Sequence, residues 1–201
     1  MQTVVVKCLA ETFVRVSVAV KIMNNNLKQT TKITLSAMMA ALATVFMLLS
    51  FFPYLTYAIP AISGLFIMVV VIEINKKWAV LSYLVSAVLV MIFANIESQF
   101  LYVFFFGYYP IAKALIEKLN KPVIEWIIKF AVFNLSVLSV YLIFSKVFDA
   151  LPLEDFGELG KYGAYILLVL GNIVFVLYDI TVSRIAMVYI RVLHPKIRKW
   201  L

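Results

Sequence analysis

One cysteine, one histidine and a charged fraction of only 14% set the first limits on this 201-residue chain. Cys8 alone closes no intramolecular disulfide and builds no thiolate metal cluster. His194 alone excludes most zinc chemistry, histidine-dependent triads and haem ligation by paired imidazoles. The sequence contains no P-loop, no GxGxxG after a strand, no HExxH, no CxxC and no GxSxG. If the protein moves a solute uphill, ATP hydrolysis must therefore come from another chain. A soluble domain carries roughly a quarter charged residues, so the scarcity of charge also argues against one.

What is abundant is hydrocarbon. Hydrophobic residues make up 65% of the chain and fall in blocks of the length a membrane helix needs, roughly 17 to 25 residues. The blocks are Leu35–Phe52, Ala58–Ile74, Trp78–Ala94, a fourth from about Gln99 through the run YVFFFGYYP to Lys113, Ile127–Phe148 and Tyr162–Ser183. The expected fold is all-α: a polytopic six-transmembrane-helix bundle, its fourth helix kinked at Pro110. Residues 28–190 form this membrane domain and residues 191–201 a basic tail. Segment 1–27, interrupted by Lys7, Glu11 and Arg15, reads either as an interfacial amphipathic helix or as a stretch upstream of a natural start at Met23.

The net charge of +8 sits where lipid, rather than nucleic acid, attracts it. One set of alternate connections and both termini hold sixteen cations: Lys7, Arg15, Lys21, Lys28, Lys32, Lys76, Lys77, Lys113, Lys118, Lys121, Lys129, Arg184, Arg191, Lys196, Arg198 and Lys199. The opposite set holds Lys146 and Lys161. The positive-inside rule makes the first side cytoplasmic, so the expectation is a multi-pass protein of a bacterial cell membrane with both termini inside. No basic stripe with interleaved aromatics suggests nucleic-acid binding. The middles of the spans are almost free of ionisable groups, so no enzyme, cofactor or metal site is expected.

Ser36, Ala37, Ala40, Ala41 and Thr44 fall on adjacent turns of the first span and flatten one face. Such faces let helices approach closely in lipid, either within the bundle or from a partner. The Ala-x-x-x-Ala spacing of Ala37 and Ala41, led in by Lys32-Ile33-Thr34-Leu35, resembles the first helix of substrate-binding S components of energy-coupling-factor transporters. Size, six spans, cytoplasmic termini and the short second span are similar too. The resemblance implies that Ala37, Ala40, Ala41 and Thr44 contact a transmembrane coupling subunit, with two ATPase subunits completing the complex. It implies a vitamin or other micronutrient bound near the outer face under the loops Phe52–Tyr57, Asn95–Gln99 and Asp149–Lys161. Tyr54, Tyr57, Asn95, Glu97, Gln99 and Tyr102 are then substrate-binding candidates, with Asn134 a further one. Their ordinary alternatives are aromatic-belt anchors and solvated turn residues.

Asn134 and Asn172 otherwise each read as making an interhelical hydrogen bond, and Asp179 as an interfacial acid paired to cytoplasmic arginine, Arg184 with Arg191 beyond. Lys113, Glu117 and Lys118 read as a solvated helix face, and His194 as an exposed interfacial residue. Two other classes remain open. One is a membrane scaffold resembling the rod-shape-determining membrane protein. The other is a small secondary transporter, which calls for coupled charges or broken helices at mid-membrane.

Overall fold

The computed structural model describes residues 27–52, 54–119, 121–147 and 160–197. The expectations for segment 1–27 apart from Leu27, for most of the Asp149–Lys161 loop and for the tail beyond Ile197 lie outside these residues. All regular structure among the described residues is helical. Helix α1 spans Gln29–Leu48, α2 Ala58–Glu73 and α3 Lys76–Phe93. Helix α4 starts at Ile96–Leu101 and restarts at Tyr109–Ile116, α5 spans Pro122–Val147 and α6 spans Gly160–Val188. Five of them (all but α2) are long and apolar enough to cross a membrane; α2 is a shorter apolar helix of 16 residues.

Polarity is distributed in the reverse of a water-soluble globule. Ser36, Ser50, Ser63, Ser82, Ser86, Ser98 and Ser136 are buried between helices, whereas Val80, Leu84, Val88 and Met91 of α3 are exposed. The same holds for Leu135 and Leu138 of α5 and Leu168, Ile173 and Leu177 of α6. Apolar solvent removes the hydrophobic drive between helices, so small residues and buried hydrogen bonds take over. Ser82 Oγ donates to the Ser36 carbonyl at 3.2 Å, and Ser86 Oγ pairs with the Tyr102 hydroxyl at 2.8 Å.

The turns are specified locally. Asn75 caps α3, its Oδ1 accepting from the backbone N–H of Lys77 at 2.8 Å and of Trp78 at 3.1 Å. This lets α2 turn into α3 over two residues. At the opposite end Tyr54 adopts φ 74°, a left-handed conformation that costs a bulky residue energy.

The irregularity expected at Pro110 is broader than a kink. Residues Tyr102–Phe106 form a π-turn, in which Gly107 N–H donates to the Tyr102 carbonyl at 2.8 Å. The α-helix then restarts with Pro110 in its first turn. Pro110 has no N–H to give the Phe106 carbonyl. Gly64 of α2 packs on that carbonyl so closely that a Cβ would collide with it. Proline and glycine together thus set the contact between α2 and α4.

The last helix uses the same device. Its π-turn at Tyr189–Leu193 precedes the short helix His194–Ile197. Residues five apart diverge by about 140° on an α-helix but nearly align in a π-turn. Tyr189 and His194 consequently meet one acceptor, Glu73 at the end of α2.

Candidate functional site

Three helices converge on a closed ring of alternating charge. Tyr109, Lys113 and Glu117 recur every four residues and so share one face of α4. Lys129 comes from α5 and Asp179 from α6. Lys113 Nζ and Lys129 Nζ each lie 2.9 Å from Glu117 Oε1. Lys129 Nζ reaches Asp179 Oδ2 at 3.0 Å, and Lys113 Nζ closes the ring on Asp179 Oδ1. The Tyr109 hydroxyl donates to the same Oδ1 at 2.6 Å.

Exposure of the whole residue is 1% for Lys113, 5% for Lys129, 6% for Glu117 and 3% for Asp179. Each carboxylate bridges both ammonium groups, the geometry that repays the desolvation of buried charge. A sheath of rings covers one side: Phe105, Phe133 and Phe175 around Tyr109, with Phe133 stacked on Phe175 at 4.7 Å. Trp126 covers another, its ring centre 5.4 Å from Lys129 Nζ.

This ring corrects two sequence expectations. Lys113 and Glu117 are buried rather than solvated; only Lys118 remains exposed. Asp179 does not pair with Arg184, which is exposed; five residues apart on an α-helix, the two point to different faces. Asp179 is accompanied by a second buried acid, Glu117. The signal available in the sequence was the four-residue spacing Tyr109, Lys113, Glu117, continued by Glu125 and Lys129 across a short turn.

A second polar cluster ties α6 to α2. Glu73 is 4% exposed. Its Oε1 accepts the Tyr189 hydroxyl at 2.8 Å and lies 2.9 Å from His194 Nδ1. An ionised carboxylate only accepts, so Nδ1 carries the proton here. His194 is therefore half-buried and partnered, not the exposed residue expected.

The candidates for an outer site separate. Tyr57 and Glu97 are brought together, hydroxyl to Oε2 at 3.3 Å. The charge of Glu97, then partial burial, then this hydrogen bond hold the Tyr57 hydroxyl above its usual pKa of 10.0. Ser98 Oγ donates to the Thr56 carbonyl at 2.9 Å and the Asn95 N–H to Ser50 Oγ at 3.4 Å, which stitches the α1–α2 and α3–α4 connections into one rim. Gln99 returns its side-chain amide to the Ala94 carbonyl at 2.7 Å. Tyr54, 97% exposed, stands apart from the rim. Tyr102 is withdrawn into the core against Ser86. Asn134 and Asn172 exchange side-chain hydrogen bonds of 3.1 and 3.3 Å across α5 and α6.

The small-residue face of α1 also divides. Ala40 and Thr44 are buried against the chain's own helices, Thr44 Oγ1 donating to the Ala40 carbonyl at 2.9 Å. Ala37 and Ala41 are exposed, flanked by exposed Met38, Val45 and Leu48. No family model, curated protein or solved structure matches this chain.

Proposed function

We propose that this chain is the substrate-capturing membrane subunit of an ATP-driven uptake transporter, S-component-like, with hydrolysis supplied by partner subunits. It crosses the membrane six times with both termini in the cytoplasm. The sixteen-to-two division of cations supports that orientation. The short α2, about 24 Å at 1.5 Å per residue, crosses with modest local thinning of the bilayer. The stitched rim of Tyr57, Asn95, Glu97 and Gln99 offers hydrogen-bonding groups and one negative charge to a micronutrient-sized solute.

The observation that carries the reading is the divided face of α1. Ala40 and Thr44 serve internal packing, which accounts for them without a partner. Ala37 and Ala41 are exposed, and their flat surface suits close approach by a coupling subunit's helix. Replacing either alanine with tryptophan is expected to abolish co-purification with a coupling subunit while circular dichroism stays unchanged. Undiminished co-purification of both variants removes the interface from the proposal.

A second reading is a small secondary transporter. It is favoured by the pair of buried acids, Glu117 and Asp179, since ionisable groups inside a membrane bundle commonly serve ion pathways. Uptake by the purified chain alone, driven by an ion gradient without ATPases, selects it over the first.

A further inference from the structure

Helix α4 is built in two pieces that serve different places. Its outer piece, Ile96–Leu101, carries the rim residues Glu97 and Gln99; its inner piece, Tyr109–Ile116, carries Tyr109 and Lys113 into the charge ring. Buried charges hold the inner piece. Lighter bonds hold the outer one to the α1–α2 connection: Ser98 Oγ to the Thr56 carbonyl at 2.9 Å, the Asn95 N–H to Ser50 Oγ at 3.4 Å and the Tyr57 hydroxyl to Glu97 at 3.3 Å. Between the pieces lie the π-turn Tyr102–Phe106, Gly107 and Pro110. A helix bends where a π-turn or a proline interrupts its ladder of backbone bonds. The Tyr83 hydroxyl, donating to the Val103 carbonyl at 2.6 Å, fixes the pivot.

A donor and an acceptor wait at this joint. Pro110 has no N–H for the Phe106 carbonyl, so the bond that a regular helix would make there is open to another donor. The Tyr178 hydroxyl of α6 is buried and has no hydrogen-bond partner. The two groups meet at one spot on α2. A Cβ on Gly64 would collide with the Phe106 carbonyl oxygen and would stand 3.3 Å from the Tyr178 oxygen. The rings of Phe106 and Tyr178 pack edge to face beside it, their centres 4.9 Å apart. A buried hydroxyl left unbonded is costly, and an acceptor stands next to it unused.

We propose that α4 is a hinged gate with a second position, in which the Phe106 carbonyl accepts the Tyr178 hydroxyl and the outer piece tilts off Thr56 and Tyr57 to open the rim. In the structure the rim is stitched and the Tyr178 hydroxyl is unused. In the second position the hydroxyl is bonded and the stitches part. Each position makes hydrogen bonds that the other gives up, and such bonds are of similar worth. A solute bound at the rim tips the balance by preferring one position. The purpose of the gate rests on the reading of the rim as the substrate site; the gate itself belongs to this chain alone and needs no coupling subunit.

The test is the rate at which a charged thiol reagent labels Ser98→Cys in the full chain in lipid nanodiscs, with Cys8→Ser in the background. Ser98 is fully buried in the stitched position, so its labelling reads the opening of the rim. Tyr178→Phe keeps the ring and removes only a hydroxyl that the stitched position does not use. It is expected to slow labelling roughly fivefold, the change in population that one hydrogen bond corresponds to. Pro110→Ala hands the Phe106 carbonyl a backbone donor and is expected to slow it as well. Ile96→Cys, exposed on the same piece, is expected to label at one rate in every background. Labelling of Ser98→Cys that Tyr178→Phe leaves unchanged overturns the proposal, whatever Pro110→Ala does. So does a slowing that Ile96→Cys shares, or a Ser98→Cys thiol that never reacts. None of these results touches the coupling reading, which co-purification of the α1 variants decides separately.

Discussion

Asp179→Ala is expected to destabilise the bundle by about 3–5 kcal/mol, the cost of removing one partner from a buried ion pair. The carboxylate accepts from Lys113, Lys129 and Tyr109 at once. Its loss takes a bridging carboxylate from two ammonium groups, 1% and 5% exposed, that then share Glu117 Oε1. Denaturant unfolding of the solubilised full chain measures the effect. A charge on the surface, as the pairing with Arg184 would have made it, is worth less than about 1 kcal/mol, so the two pictures differ severalfold. Asp179→Ala combined with Lys113→Ala is expected to cost less than the two single losses added together, because each single variant leaves a charge unpaired. Additive losses contradict the ring.

Glu73→Ala is expected to release the end of α6 while leaving the rest of the bundle folded. Tyr189 and His194 lose their shared acceptor, and hydrogen bonds to a charged group are worth about 1.5–3 kcal/mol each. Losing about 2 kcal/mol from local opening raises the open population roughly 30-fold. Arg191 and Lys196 lie in this segment and Arg191 is exposed, so limited trypsin digestion reports the change as faster cleavage there. An unchanged cleavage rate means that Glu73 does not hold the segment.

The six apolar helices were legible because hydropathy and turn residues are local properties. Asn75, Pro53 and Asn95 mark breaks that the chain itself writes, and the helix bounds follow them within a few residues. That Asn134 and Asn172 each take an interhelical partner was also legible, since an amide inside an apolar run needs one; that they take each other was not. Nor was the charge ring. Lys113 and Glu117 look like the cytoplasmic end of a helix, and only the tight return at Lys121-Pro122 places Lys129 beside them. That is tertiary information, as is the distance between Asp179 and α4 along the chain.

The meeting of Tyr57 and Glu97 was legible for the same reason. Tyr57, Asn95, Glu97 and Gln99 belong to neighbouring loops that two short turns bring together. Tyr102 follows Gln99 in sequence, but the rotation of α4 turns it inward onto Ser86. On α1 the periodicity groups Ala37, Ala40, Ala41 and Thr44 on adjacent turns, yet could not say that Ala40 and Thr44 are buried while Ala37 and Ala41 are exposed.

The most direct test of the central claim is native mass spectrometry of the full chain purified in mild detergent from its own cells. The account predicts a complex in which this chain carries a coupling subunit, two ATPase subunits and a retained small molecule. The chain recovered alone, with neither partner subunits nor bound solute across a series of mild detergents, would contradict it.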